Sequence, residues 1–414
     1  MDIEWEAMER ALRLLEPVIY RTPLAESAFL NDLSGQRLQF KLENLQRTGS
    51  FKIRGAYAHL AGLAPEAAAR GVVTASAGNH AQGVALAASL LGISALVVMP
   101  ERASLTKVEA TRGYGAEIKL YGESFDDANL LAQSLAESTG RVYIPAFNSL
   151  EVIAGQATVG LEMLAQCPEI NTLVVPVGGG GLIAGVAAVA KKMRGQTIRV
   201  VGVEAKAQDA VVRSLAQGEV VEVPRRHTIA DGIQVKRPGD VTLALIQKYV
   251  DEVVTVSERD ISRAMLLFLE RMKIVVEGAG AVGLAAILSG ALRPKAASPI
   301  GVVVSGGNLD VSLLSRILQK GLVEEGRQLH LFTILSDAPG ELSHLLAEVA
   351  RLGANVVRVE HERWHPSLDV EQVGIGLVLE TRDAVHQRAV VQTLSALGYS
   401  IQAPRSFRTK NFDN

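Results

Sequence analysis

Short, continuously apolar runs alternate with longer stretches of helical periodicity through the first three quarters of the chain. Residues 72–74, 95–99, 172–177, 198–203 and 300–304 read as strands, and Ala/Leu-rich segments such as 84–91 and 183–193 read as helices. Strands apolar throughout are covered on both faces, so the pattern predicts an α/β fold on mostly parallel sheet. In such sheets ligands bind beyond the carboxyl ends of the strands, which directs attention to the glycine-rich loops there.

After about Leu322 the pattern changes. The polar connector Val323-Glu-Glu-Gly-Arg-Gln leads into a strand at 329–335, and Asp337-Ala-Pro-Gly-Glu-Leu opens a helix with Leu342, Leu345, Leu346, Val349 and Ala350 on one face. Residues 355–362 alternate as a second strand. In the third, Val373, Ile375, Leu377 and Leu379 point one way while Gly374 and Gly376 point the other. A helix at 383–397 and a last strand at 399–402 complete the order βαββαβ, the ferredoxin-like arrangement. The expected domains are 1–320 and 326–404.

Two stretches resemble membrane spans. Residues 71–100 lack Asp, Glu, Lys and Arg, but Asn79, His80 and Gln82 lie inside and Gly92 splits helix from strand. Residues 274–292 are apolar too, yet Glu277, Gly278, Gly280 and Gly283 interrupt them early, so a core helix is expected. Hydrophobic residues at 48% against 21% charged fit a globular chain, and a net charge of -2 offers no attraction for nucleic acid or anionic lipid. The single cysteine, Cys167, excludes a disulfide framework and a cysteine-based zinc site. The acidic start, Met1-Asp-Ile-Glu-Trp-Glu, is unlike a secretory or transit leader, so a cytoplasmic location is expected.

The densest chemical signal is Gln46-Arg-Thr-Gly-Ser-Phe-Lys-Ile-Arg-Gly-Ala56. Lys52 lies between an aromatic and a β-branched residue beside Arg54, surroundings that can lower an amine's pKa and leave it nucleophilic. The bland alternative is a surface lysine snorkelling from a helix start. Gly178, Gly179, Gly180 and Gly181 follow one strand and precede a helix, where bare backbone N–H groups can close on a phosphate.

Gly179-x-Gly181-x-x-Ala184 also fits a dinucleotide fingerprint, with Glu204 as ribose partner, and Gly278-x-Gly280-x-x-Gly283 is a second match. A nicotinamide-dependent oxidoreductase is therefore an alternative, though it leaves Lys52 and two further loops without a role. Those loops, Ser76-Ala-Gly-Asn-His-Ala-Gln-Gly83 and Ser305-Gly-Gly-Asn308, each follow a strand and read either as ordinary turns or as ligand contacts.

Taken together, Ser50-Phe-Lys-Ile-Arg-Gly-Ala56, Ser76-Ala-Gly-Asn-His80, the tetraglycine and Ser305-Gly-Gly-Asn308 resemble the fold-type II pyridoxal-phosphate enzymes and, within them, the threonine ammonia-lyase (threonine dehydratase) family. The likeness spans about residues 5–320, including Thr22-Pro-Leu24, Ile153-Ala-Gly-Gln156 and Ile229-Ala-Asp-Gly-Ile233. It implies a two-lobed catalytic domain, with a small lobe of about 48–149 inserted in the large one, that dehydrates and deaminates L-threonine, with L-serine as a second candidate substrate. Asp337-x-Pro-Gly-x-Leu342 resembles an ACT domain, the small amino-acid-sensing module.

By that resemblance Lys52 carries the cofactor, pyridoxal 5'-phosphate, as a Schiff base and acts as the base at Cα. Phe51 stacks on the ring, Asn79 bonds the ring hydroxyl, Gly178 to Gly181 bind the phosphate, and Ser305 faces the ring nitrogen. The backbone of Ser76, Ala77, Gly78, Asn79 and His80 holds the substrate carboxylate. Asp337, Gly340, Glu341 and Leu342 are the candidate contacts for an effector, isoleucine or valine, although an Asp and Pro there equally suit a plain helix cap. A homotetramer is implied.

Three departures bear on activity. Phe147-Asn148-Ser149 replaces the family's Phe-Asp and Pro-containing turn, which puts substrate-loop contacts in question. Glu204 matches one ligand of the racemase cation site, but Ala210 falls where a second carboxylate belongs, so no metal is expected. Ala77 stands where racemases carry a serine able to deliver a proton, so lyase chemistry is expected over serine racemisation. An amino-acid sensor without catalysis is the third class of reading.

Overall fold

Apolar strands form two sheets in the first part of the protein. The computed structural model describes residues 2–293, 298–364 and 368–402 and divides into two compact units, 1–310 and 311–414. The larger sheet of the first unit contains β1 (Leu24–Ala25), β2 (Leu38–Leu42), β7 (Thr172–Pro176), β8 (Arg199–Ala205), β9 (Glu252–Val256) and β10 (Ile300–Val304). Its order is β1-β2-β10-β7-β8-β9, parallel except for the β1 edge.

The smaller sheet contains β3 (Val72–Ala75), β4 (Ala95–Met99), β5 (Glu117–Leu120) and β6 (Val142–Tyr143), all parallel, in the order β5-β4-β3-β6. All four of its strands fall between β2 and β7 in sequence, so a small lobe interrupts the larger one. Strands β3, β4, β7 and β10 are buried along their whole length, which is why they read as continuous runs rather than alternating ones; β2 is equally buried but carries Gln39 and Lys41, which hid it from that pattern.

The two apolar stretches resolve as expected from their polar interruptions. Residues 71–100 become β3, the helix Asn79–Leu91 and β4, and the second stretch becomes the buried helix Gly278–Leu288. No helix among the described residues is long and apolar enough to cross a membrane.

In the second unit, β11 (Gln328–Ser336), β12 (Asn355–Glu362) and β13 (Gln372–Glu380) form an antiparallel sheet in the order β11-β13-β12, with helices Glu341–Arg351 and Ala384–Ala396. The helix Val311–Glu324 belongs to this unit, which moves the boundary ahead of the position 320 read from sequence. Val373, Ile375, Leu377 and Leu379 meet Leu345, Val349, Val390 and Leu394 in one core.

Three local expectations differ. Ala350 is exposed, because Leu345 and Val349 already turn the helix onto the sheet. β12 is largely exposed, and a register shift between Val356 and Arg358 breaks its alternation. The last strand is reduced to one bridge, Phe332 with Gln402, placing it beside β11.

Candidate active site

The loop before the helix Lys52–Ala61 is stitched to the loop after β10. Phe51 N donates to Ser305 O at 3.1 Å, Gly307 N donates to Gly49 O at 2.9 Å, and Ser50 bridges Gly306. Two segments some 250 residues apart in sequence thereby share one edge, so the predicted lysine and Ser305 loops form one side of a cleft.

Lys52 Nζ donates to Ala146 O at 2.8 Å and lies 5.3 Å from the Phe51 ring centroid. The side chain keeps some surface open to the cleft, yet protein surrounds the amine closely. Burial pushes its pKa down to about 8, against the pull of Glu277, so the snorkelling-lysine reading fails. Arg54 contributes nothing to this shift, contrary to the sequence argument. Its guanidinium is engaged by Glu43 and Glu162, each at 2.7 Å.

Phe147, next to Ala146, carries the site to the tetraglycine. A Cβ at Gly179 would lie 2.2 Å from the Phe147 ring, one at Gly181 3.0 Å from Phe147, and one at Gly178 2.9 Å from Ile233. Gly180 adopts φ +96° at the N-cap of the helix Gly181–Arg194, and a Cβ there would meet Thr242 at 2.9 Å. Side chains are excluded at all four positions, so the loop presents bare backbone at a helix N-terminus. That fits a phosphate group. Thr242 Oγ1 braces the loop by donating to Gly179 O at 2.6 Å.

Asn79 begins the helix Asn79–Leu91, behind Gly78 at its N-cap. Ser76 Oγ accepts from Gly78 N at 3.1 Å, which shapes the turn, and the first N–H groups of the helix have no intrahelical acceptors. His80 faces inward, its Nε2 3.2 Å from Ile144 O, and burial together with Lys52 pushes its pKa down to about 3. Its side chain is therefore a neutral core group, while its backbone stays in the turn. A Cβ on Gly83 would come 3.0 Å from the Lys52 carbonyl carbon, so that glycine lets this helix lie against the lysine helix.

Glu277, which in the sequence is only an interruption of an apolar run, joins this site. It is buried, and its Oε1 accepts from Asn79 Nδ2 at 2.7 Å. Burial, with Asp231 nearby, pushes its pKa up to about 8. Asn308 donates through Nδ2 to Asn79 Oδ1 at 2.8 Å and to Thr48 O at 2.6 Å. The one local signal for Glu277 is a lone acid ahead of a glycine-rich, otherwise apolar helix.

Neither dinucleotide fingerprint has its ribose partner: Gly179 and Gly181 belong to the anion cradle, and the remaining residues serve packing. Glu204 is buried and spends its carboxylate on Val211 N at 3.0 Å and Val212 N at 2.9 Å, so it cannot serve a ribose. Gly278 and Gly280 allow close approach of Ile229 O and Gly306 O, and Gly283 packs on Val302. Among the described residues no group of three or more His, Cys, Asp or Glu could hold a metal ion.

In the departing turn, Asn148 Oδ1 accepts from Val241 N at 3.0 Å and Ser149 caps the helix Leu150–Gln166. In the second unit, Asp337 does not cap a helix: it pairs with Arg363 at 2.8 and 2.9 Å, and Gly340 holds the N-cap of Glu341–Arg351. Gly374 is covered by the Phe332 ring, 2.8 Å from where its Cβ would be, and Gly376 faces Glu360. The glycine-bearing face is thus largely used by neighbouring strands.

A buried amine of lowered pKa, a bare anion cradle and a polar triad in one cleft of a two-lobed α/β fold define a site for a phosphate-bearing carbonyl cofactor. A family model described as pyridoxal-phosphate dependent enzyme matches residues 15–306. An L-threonine ammonia-lyase of Thermotoga maritima is 47% identical over 97% of this chain and 99% of its own. Among solved structures, the processed form of threonine deaminase isoform 2 from Solanum lycopersicum superposes with a TM-score of 0.72 at 36% identity, covering 76% of this chain and 87% of that one. A maize serine racemase gives 0.73 at 39% identity, covering 78% and 99%. The chain belongs to the pyridoxal-phosphate dependent enzyme family.

Proposed function

We propose that this protein is an L-threonine ammonia-lyase, converting L-threonine to 2-oxobutanoate and ammonia. The observation that carries the reading is the meeting of the Lys52 amine, the side-chain-free Gly178 to Gly181 loop and the Ser305 loop in one cleft. The Thermotoga maritima relative spans both units of this chain, which supports the same assignment.

Pyridoxal phosphate, when bound, supplies the electron sink for the pair left on Cα as its proton departs. Gly178 to Gly181 would hold its phosphate, Phe51 would lie against its ring, Asn79 would bond the ring hydroxyl and Ser305 the ring nitrogen. A neutral Ser305 hydroxyl, unlike a carboxylate, would not hold the ring nitrogen fully protonated, and the sink would stay moderate. The turn Ser76, Ala77, Gly78, Asn79 and His80 receives the substrate carboxylate at a helix N-terminus.

With a pKa of about 8, Lys52 is partly unprotonated near neutrality, and Ala146 O directs it. It takes the α-proton, and the β-hydroxyl leaves as water. The released enamine regains that water on hydrolysis, so the net products are 2-oxobutanoate and ammonia. Ala77 offers no proton to the opposite face, which sets this chain apart from a racemase.

The second unit is read as an ACT-like regulatory domain, with Asp337, Gly340, Glu341 and Leu342 as contacts for isoleucine or valine in a homotetramer. A cytoplasmic location suits the free, buried Cys167.

Product analysis with L-threonine and L-serine side by side tests the assignment. Threonine should be deaminated in preference, serine racemised little, and borohydride should fix the cofactor to Lys52. Faster interconversion of serine enantiomers than water loss overturns it. Ending the chain at Asp310 should abolish any response to isoleucine or valine; equal kinetics with and without the second unit, and no amino-acid binding by calorimetry, would leave that unit a structural role.

A further inference from the structure

Asn79 sits in a chain of hydrogen bonds that runs in one direction. It starts at Thr48, a non-glycine residue with φ +62°, whose carbonyl oxygen can only accept. Asn308 must turn its Nδ2 toward that oxygen, 2.6 Å away, and its second Nδ2 hydrogen goes to Asn79 Oδ1 at 2.8 Å. Both Asn308 hydrogens are then used. Asn79, fixed by accepting there, directs Nδ2 to Glu277 Oε1 at 2.7 Å. Rotating the Asn79 amide by half a turn would set its nitrogen against the Asn308 amide nitrogen and leave that Nδ2–H without an acceptor, so only one orientation is stable.

Glu277 is itself held. Its backbone N donates to Gly306 O at 3.1 Å, and a Cβ on Gly306 would come 2.4 Å from Glu277 Oε1, so only glycine lets the carboxylate lie there. It also occupies the N-cap of the helix Gly278–Leu288, where negative charge is favoured. The charged groups acting on this pair of sites are Lys52 on the lysine helix, Asp231 on the turn Asp231–Ile233 and Lys107 on the helix Leu105–Gly113.

We propose that Glu277 is a positioning residue for this reaction: as the terminal acceptor of the Thr48–Asn308–Asn79 chain it locks the Asn79 amide, leaving one Nδ2–H for the cofactor's ring hydroxyl. The inference rests on the proposed lyase reading, which supplies the ring hydroxyl.

The test uses Glu277→Gln and Asn308→Ala as holoenzymes, with kcat, KM, melting temperature and the absorbance of the bound cofactor. Glu277→Gln removes one of two acceptor oxygens at the end of the chain; Asn308→Ala breaks the chain in its middle. Both should lower kcat about 10-fold or more with KM for L-threonine within about 3-fold, because what is lost orients the cofactor rather than the substrate. Both should also alter the absorbance band of the bound cofactor, because the group facing its ring hydroxyl is no longer held in one orientation.

A kcat within about 2-fold of native in both variants, whatever the change in melting temperature, overturns the proposal, since a merely structural role would act through stability alone. An unchanged cofactor absorbance in both variants overturns the orienting role even if kcat falls. Should Glu277→Gln not fold, the kcat of Asn308→Ala decides. Native protein that takes up no pyridoxal phosphate fails the lyase reading before any variant is made, so the two failures are distinguishable.

Discussion

Lys52 and Arg54 stand two residues apart on one helix, yet the protein treats their charges in opposite ways. Arg54 is fully buried and held by two carboxylates: Glu43 at 2.7 and 2.8 Å, and Glu162 at 2.7 and 3.0 Å. Thr22 completes Glu43, and Lys41 joins Glu162 at 2.6 Å. Arg54, gripped by two carboxylates, is held more firmly protonated than usual and Glu43 more firmly ionised, while burial still lowers Lys41 despite its pairing with Glu162. Lys52 has a carbonyl for its hydrogen bond and only a more distant carboxylate, so burial prevails and the amine drops to about 8. Glu277 rises to about 8 for the same reason. Burial leaves Arg54 a structural charge because two carboxylates grip it, and leaves Lys52 a reactive amine because among the described residues no carboxylate is in contact with it.

The largest expected effect separates chemistry from stability. Lys52→Ala should cut turnover by about a thousandfold or more while retaining some cofactor binding through the tetraglycine loop. Steady-state deamination by that variant without added amine would show that another base does the work. Its apoprotein should be no less stable than native. Lys52, depressed from 10.5 to about 8, contributes stability at pH above 10.5 that is lost as pH falls through 8, so the variant's advantage should grow over that window.

Arg54→Met should do the reverse, costing about 3–5 kcal/mol in urea unfolding because Glu43 and Glu162 lose their shared cation. A loss under about 1 kcal/mol would mean that Lys41 and water can compensate, and the contrast between the two clusters would collapse.

A smaller effect tests Glu277 in the apoprotein. Its pKa is raised from 4.5 to about 8, so its contribution is fully present below 4.5 and lost as pH rises through 8. Glu277→Gln does not ionise, and its stability relative to native should rise across that interval by about 1 kcal/mol per pH unit. Comparing the two proteins cancels the opposing contribution of His80, whose depressed pKa of about 3 withdraws stability as pH falls from 6.5. A flat difference between them would place Glu277 with the compensated charges.

The smallest effect concerns Lys107, which pairs with Asp231 at 2.6 Å on a partly exposed surface. Lys107→Ala should cost at most about 1 kcal/mol, yet raise the pKa of Glu277 slightly by removing one cation and freeing the charge on Asp231. The measurement is the midpoint of the Glu277-dependent stability change; a downward move would contradict the assigned coupling.

Much was legible in the chain itself because it depends on short-range pattern. Strands buried on both faces are mostly apolar, so β4 and β10 were readable to their ends, whereas β2 is buried throughout yet broken by Gln39 and Lys41. Four consecutive glycines between strand and helix could be recognised as a cradle, since no side chain was there to obscure it. The lysine and serine loops carried enough motif to imply a cofactor and a reaction. What only the tertiary structure decided was pairing. Sequence placed Arg54 beside Lys52 and suggested it lowered the amine's pKa, but folding delivered Glu43 and Glu162 to Arg54 and left Lys52 to burial. Sequence likewise showed Glu277 as a break in an apolar helix, and Asn79 and Asn308 as parts of separate loops. They meet because β10 lies between β2 and β7 and returns its loop to the lysine segment, a contact between residues some 230 to 260 positions apart that no local periodicity encodes. Desolvation, which sets the protonation of both Lys52 and Glu277, exists only once that contact has formed.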